Sequence, residues 1–331
     1  MENVPKKPTS PERKPRRRIS PWWSIAFCLF ISTIYTFRTD ATYAITVWPA
    51  WFGACIGIPL LLFAGQSKIK LLSVWILFLL LFVDEAKSFP RMILPGPAHD
   101  FRVVSLNCAG GSYAAAEEVK AQNPDIILYQ ESCDKGQLQK LAKLFFVDEG
   151  TYISGPDASI VARGKLVRLE TSKYINDFVA AEWTDVNGRK LNVMSLRLLP
   201  PTMRIDLFDK SAWNDFANNR AARRKEVLAI AAELNRLNFR PDIIGGDFNT
   251  PPDVGVLEPI TTRMSDTFAK VGVGYGATCV NPYPCLVRID QIHCSKNVTP
   301  TRSRVVATQN SDHRMLVSDF KTSPIMDSNH E

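Results

Sequence analysis

Five apolar, β-rich runs in the C-terminal two-thirds of the chain reach the same kind of ending. FRVVSLN closes on Asn107, DIILYQ runs into Glu131, and PDIIGGDFNTPP presents Asp247 and Asn249 after two glycines. LVRIDQI carries Asp290, and Asp312 and His313 stand just before MLVSDF. A strand end on a rigid scaffold can aim a polar group into a shared cleft. One such ending is an ordinary turn, because Asp and Asn favour turns. Five of them carry hard oxygen donors and an imidazole, a set that suits Mg2+ or Mn2+.

Around these runs the chain alternates strand-like and helix-like segments. Further strands are expected at Ala158–Ala162, Leu191–Leu196 and Met315–Phe320, and helices at Ser112–Gln122, Gly136–Phe146 and Asn218–Asn238. The last is the strongest helix, with Ala221, Val227, Leu228, Ala231 and Leu234 on one stripe and charges opposite. Arg220, Arg223 and Arg224 at its start face either phosphate or solvent, and solvent is the preferred reading. The pattern is mixed α/β with many short strands.

The N-terminal quarter differs. Of 40 Lys/Arg and 33 Asp/Glu in the 331 residues, residues 1–70 hold ten and three, which leaves 30 of each in the rest. The remainder is formally neutral, which argues against a broad electrostatic grip on nucleic acid. Residues 1–21, rich in Pro, Lys and Arg, read as a disordered cytoplasmic tail. Residues 22–88 read as a membrane region of three helices, from the apolar runs Trp22–Phe37, Tyr43–Ala64 and Leu71–Val83. A crossing takes about 20 residues, so the second run is the comfortable one. With the basic tail inside, three crossings place the rest of the chain on the outer face. Residues 89–100, with three prolines, read as a linker, 101–320 as the soluble domain and 321–331 as a polar tail.

The ordered motifs SLNCAG, LYQES, GGDFNTPP, RIDQI and SDHRML resemble the endonuclease/exonuclease/phosphatase superfamily of Mg2+-dependent phosphoesterases, across about residues 101–320. The resemblance implies a four-layer α/β/β/α sandwich of two mixed sheets and a divalent cation, Mg2+ or Mn2+. It implies that Glu131 is the principal metal ligand, with Asn107 and Asp312 beside it. Asp247 then orients or deprotonates the attacking water, Asn249 donates to a phosphoryl oxygen, and Asp290 fixes and charges His313. Where many members carry a His, this chain has Arg197. Arginine cannot titrate usefully but can bind phosphate. Arg197→Ala is therefore expected to cost activity and spare Mg2+ affinity.

The arrangement of short spans followed by this domain is similar to bacterial membrane proteins linked to glycopeptide resistance. It implies a multi-pass inner-membrane protein with an extracytoplasmic catalytic domain, whose partners are the lipid bilayer and a phosphorylated, lipid-linked substrate. A membrane-tethered nuclease and a non-catalytic phosphate-binding domain are the alternatives. Cys279 and Cys285, close together in CVNPYPC, are candidates for a disulfide in such a compartment.

Overall fold

The computed structural model describes residues 21–39, 42–59, 68–172, 178–202, 204, 206, 208–252, 255–279 and 286–322. The basic tail before Pro21, the polar tail after Thr322 and Cys285 lie outside them, and with Cys285 the expected disulfide.

Thirteen strands are described: β1 Phe101–Asn107, β2 Ile126–Gln130, β3 Gly150–Ser154, β4 Ala158–Arg163, β5 Lys165–Arg168, β6 Phe178–Thr184, β7 Lys190–Arg197, β8 Ile243–Asp247, β9 Ser265–Asp266, β10 Gly272–Val273, β11 Asp290–Cys294, β12 Val298–Val306 and β13 Met315–Thr322. They form two mixed sheets. The first runs β10-β12-β13-β1-β2-β4-β3 and the second β5-β6-β7-β8-β11-β9. Pairings are antiparallel except β1–β2, β10–β12 and β7–β8.

Between the sheets lies a core of Val103, Ile126, Leu128, Ile160, Trp183, Val193, Ile243, Ile292, Leu316 and Phe320, all buried. Each such side chain contributes roughly 1.5–3 kcal/mol by leaving water. The opposite faces are covered by helices. α6 (Tyr113–Glu118) and α7 (Lys135–Phe146) cover the first sheet through Ala116, Leu138, Leu141 and Phe146. α8 (Lys210–Arg236) and the short α9 (Glu258–Thr261) cover the second through Val227, Ile230, Leu234 and Ile260. α10 (Thr267–Val271) sits beside β12, with Phe268 in the central core. Central strands buried on both sides explain the continuous apolar runs of the sequence.

The buried face of α8 differs from the expected stripe. Ala212, Phe216, Arg220, Arg223, Val227, Ile230 and Leu234 are buried, whereas Leu228 is half exposed and Ala221 is exposed. The face is continuous at spacings of three and four once it is started at Ala212 rather than at Asn218. Arg220 and Arg223 therefore turn inward, and only Arg224 meets the solvent-facing expectation.

The N-terminal region forms a helical layer. α1 (Pro21–Phe37), α3 (Trp51–Gly57) and α4 (Lys68–Phe82) pack through Cys28, Ile31, Ala54, Leu71, Trp75 and Phe78. Trp75 Nε1 donates to Ser24 Oγ at 3.0 Å. The second apolar run, expected to be one long helix, is divided into α2 (Tyr43–Thr46) and α3, and Pro49 stands between them. A proline there lacks the N–H that a continuing helix needs. Among the described residues no helix is long and apolar enough to cross a membrane. A short helix α5 (Asp84–Ser88) then leads toward the sandwich. Arg288, just before β11, bridges Asp84 Oδ2 at 2.7 Å and Asp266 Oδ2 at 2.6 Å.

Candidate active site

The site forms where strand ends of both sheets meet. β7, β8 and β11 are neighbours, and their register aligns Arg197 with Asp247 and Asp247 with Asp290. Asn107 ends β1 and Glu131 follows β2, the neighbouring strand of the first sheet. Asn107 joins the two sheets: its Nδ2 donates to Glu131 Oε1 and to Asp247 Oδ2, both at 3.1 Å. A second buried link lies just behind. Gln130 Nε2 donates to Ser195 Oγ at 3.1 Å, and that hydroxyl donates to Tyr129 O.

The glycines of GGDFN have distinct steric reasons. A Cβ on Gly245 would lie 2.5 Å from Leu128 Cδ1 of the facing sheet. A Cβ on Gly246, at φ +156°, would lie 1.9 Å from Leu196 O on the adjacent strand. Without them β8 could not bring Asp247 so close to β7 and to the other sheet. Ala109, Glu131 and Asn249 all adopt positive φ (48°, 43° and 50°), a conformation that non-glycine residues hold only when the surroundings impose it. The constraints are visible. Ala109 N–H donates to Asn107 Oδ1, Gly110 N–H to Glu131 Oε2 at 2.7 Å, and Asn249 N–H to Asp247 Oδ1 at 2.9 Å. Asn249 Nδ2 also donates to Leu198 O at 2.7 Å, which uses one of its two amide hydrogens. After Glu131 the chain turns at once into α7, capped by Asp134 and Gln137.

Asp290 is fully buried, and its Oδ2 lies 2.9 Å from His313 Nδ1. Its N–H donates to Thr278 Oγ1 at 3.0 Å. Ser311 fixes the approach of His313: its Oγ accepts from His313 N–H and donates to Asn107 O. Burial opposes the charge on His313, but Asp290 beside it prevails, aided by Asp247 and Asp312, and the pKa rises to about 10. For Asp247, burial and then the nearby Asp290 push the pKa up to about 7, against the pull of His313. Burial also raises Glu131, yet its bond from Asn107, the charge of Arg197 and the Gly110 N–H together hold it below the ordinary value.

Arg197 is integrated into the site. Its Nη2 donates to Glu131 Oε1 at 2.7 Å and its Nη1 to Asp157 Oδ2 at 2.9 Å. Asp157, in the β3–β4 turn, escapes sequence reasoning, as does Thr278, because each carries an ordinary loop signal; Arg223 is noticed in the sequence, but its inward direction is not. Asn107, Glu131, Arg197, Asp247, Asn249, Asp290 and His313 are thus brought together. Asp312 is exposed and enters through its field on His313.

The donor set fits a divalent cation. Asp247, Asp290 and His313 offer atoms within 4.8 Å of one another, and Asp290 Oδ1 is buried without a hydrogen-bond partner. A buried carboxylate oxygen left so is costly unless a cation satisfies it. Glu131, the ligand expected from sequence, is one Asn107 amide away from this cluster, but Arg197 already partners it.

A sequence model of the Endonuclease/Exonuclease/phosphatase family matches residues 104–313. The chain belongs to this family. Members of the endonuclease/exonuclease/phosphatase family are generally hydrolases of phosphoester bonds, often metal-dependent, and include phosphatases and nucleases. The sandwich is similar to the solved family protein from Bacteroides vulgatus, at 17% identity and a TM-score of 0.52, covering 68% of this chain and 100% of that one. It is also similar to one from Bacteroides thetaiotaomicron, at 16% identity and a TM-score of 0.51, covering 68% and 98%. These likenesses concern the fold. The comparison with curated proteins returned no match.

Proposed function

We propose that the chain is a membrane-anchored, divalent-metal-dependent phosphoesterase that hydrolyses a lipid-linked phosphate or pyrophosphate. The observation that carries the hydrolytic part is the gathering of Asp247, Asp290 and His313, held to Asn107 and Glu131 across the two sheets. Asp247, with a pKa near neutrality, takes the proton of the attacking water. His313, kept cationic by Asp290, stabilises negative charge on phosphate oxygens and can return a proton to the leaving oxygen. The second amide hydrogen of Asn249 and the guanidinium of Arg197 orient the phosphate. Glu131, Asn107 and Asp312 on one side, or Asp247 and Asp290 on the other, are the residues that would hold Mg2+ or Mn2+. When bound, such a cation supplies charge neutralisation at the phosphoryl group.

The membrane reading draws support from the helical layer, where Trp22, Trp23, Phe30, Ile69, Leu77 and Leu81 are all well exposed. Apolar side chains in that number suit a lipid environment. The catalytic domain is proposed to face the outside, as the basic tail implies. The test is hydrolysis by the full-length protein with Mg2+ of a polyprenyl pyrophosphate, a phospholipid and DNA, with Asp247→Ala as control. Phosphate release from the polyprenyl substrate, abolished in the variant, is expected. Cleavage of DNA alone would replace this reading with a tethered nuclease.

A further inference from the structure

Phe248 is the residue between Asp247 and Asn249, and its carbonyl faces α8. Arg223 Nη2 donates to Phe248 O at 2.9 Å, and Arg223 Nη1 donates to Tyr43 Oη at 3.0 Å. Arg223 is only 1% exposed, and Tyr43, on α2 of the helical layer, is equally buried. The ring of Tyr43 lies edge-on to Phe216 at 6.2 Å, with the Arg220 guanidinium over its face at 4.4 Å. Further along the same turn, Arg38, just beyond α1, donates from Nη1 to Pro252 O at 2.5 Å. The N-terminal layer therefore grips the backbone that carries Asp247 and Asn249 at two points, one direct and one through Arg223.

A buried arginine is an expensive way to hold a helix on a sheet. Val227 and Ile230 on the same helix face do so with apolar atoms alone, and an apolar side chain at 223 would avoid the desolvation of a cation. What an apolar side chain cannot do is donate to a backbone carbonyl and a phenol together, in the fixed fork of a guanidinium. Asn249 also holds a positive φ, so its turn needs external restraint.

We infer that Arg223 is a positioning residue for the Asp247–Phe248–Asn249 turn, and that Tyr43 holds it in place, so that the N-terminal helical layer sets the activity of the phosphoesterase site. The inference rests on the phosphoesterase reading for its kinetic consequence, though not for its structural one. Without the Tyr43 hydroxyl, the guanidinium loses one of its two anchors. The turn then samples conformations in which Asp247 and Asn249 are misaligned, so turnover falls while substrate contacts made elsewhere persist.

The test uses the full-length protein. Tyr43→Phe removes only the hydroxyl and keeps the ring under Arg220 and against Phe216. It is expected to lower kcat about 3- to 10-fold with KM unchanged, the scale of one ordinary net hydrogen bond acting at one remove from the turn. Amide hydrogen exchange at residues 247–250 is expected to quicken, with exchange in β1 and β2 at the wild-type rate. Arg223→Lys keeps the charge but loses the fork, and is expected to fall further. Adding Tyr43→Phe to Arg223→Lys should then have little additional effect. If Arg223→Lys does not fold, Tyr43→Phe decides alone. Wild-type exchange at 247–250 in Tyr43→Phe overturns the inference, as does a raised KM with kcat unchanged. A wild-type protein inert toward every phosphoester refutes the phosphoesterase reading instead, and the exchange measurement still judges the role of Arg223.

Discussion

Replacing Arg197 with alanine tests how the site manages its charges. The sequence alone suggests that this change spares metal affinity. The pairing of Arg197 with Glu131 reverses that expectation: the cation is to bind more tightly to the variant. Arg197 Nη2 lies 2.7 Å from Glu131 Oε1, and both side chains are about a quarter exposed, at 27% each. Unit charges about 4 Å apart interact with ~1 kcal/mol in water and ~4 kcal/mol at an effective dielectric of ~20. Partial exposure favours the lower figure. A divalent cation approaching Glu131 must displace that partner or share the carboxylate with it. Removing Arg197 therefore relieves a competition worth ~1 kcal/mol, about fivefold in Kd. The assay is Mn2+ binding followed by the electron paramagnetic resonance of the free ion, in wild type and in Arg197→Ala, with Asp157→Asn as a second variant. Asp157→Asn leaves Arg197 to Glu131 alone and should weaken Mn2+ binding slightly. On the proposed phosphoesterase reading, turnover should fall in Arg197→Ala, because the phosphate would lose a guanidinium. Equal or weaker Mn2+ binding in Arg197→Ala would refute the competition.

Geometry and charge set three further outcomes. Gly246→Ala places a methyl 1.9 Å from Leu196 O and should destabilise the fold by more than ~3 kcal/mol in urea unfolding, whereas Gly188→Ala, also at positive φ (83°) but with no neighbour within 4 Å, should cost only ~1–2 kcal/mol. The rate at limiting cation should rise with pH through about 7 as Asp247 loses its proton, and saturating cation should move that limb lower by favouring the carboxylate; a limb centred near 4 without cation contradicts the assignment. Glu233 on α8 is held down to about 2 by Arg236 and by the N–H of Ser172, so its stabilisation is present above the unfolded value near 4.5 and is lost as the pH falls toward 2; Glu233→Gln should show a weaker loss of Tm over that window than wild type.

Much of the sandwich is legible in the sequence where a strand is central. β1 matches its expected span residue for residue, and β2, β4, β7, β8 and β13 do so within two residues at either end, because strands buried on both faces are apolar without interruption. The apolar pattern starts β11 too early: residues 287–289 lie outside the strand, with Val287 O accepting from the N–H groups of Thr278 and Cys279 and Ile289 O from that of Phe248, and the ladder begins at Asp290. β6 escapes detection because AAE in its middle carries a helical preference that tertiary pairing overrides. Pro300 and alternating polar residues hide β12, and Pro300 sits at a register shift. In the site, motif order identifies the strand-end residues. It does not reveal partners supplied by chain remote in sequence. Asp157 for Arg197 and Tyr43 for Arg223 are visible only once the layers are stacked. The inward turn of Arg223 is concealed by its charge, which reads as solvent-facing whenever helix periodicity is started at Asn218.

Arg197, Asp247 and Asp290 ride on three adjacent strands at matching rungs. Side chains on a strand alternate between faces, so deleting one residue within β7, β8 or β11 would turn the corresponding group to the far side of the sheet. Loops joining these strands can lengthen or shorten without that inversion. On the proposed phosphoesterase reading, hydrolysis reports ladder alignment, and random deletions that preserve it should accumulate between the strands and spare their interiors.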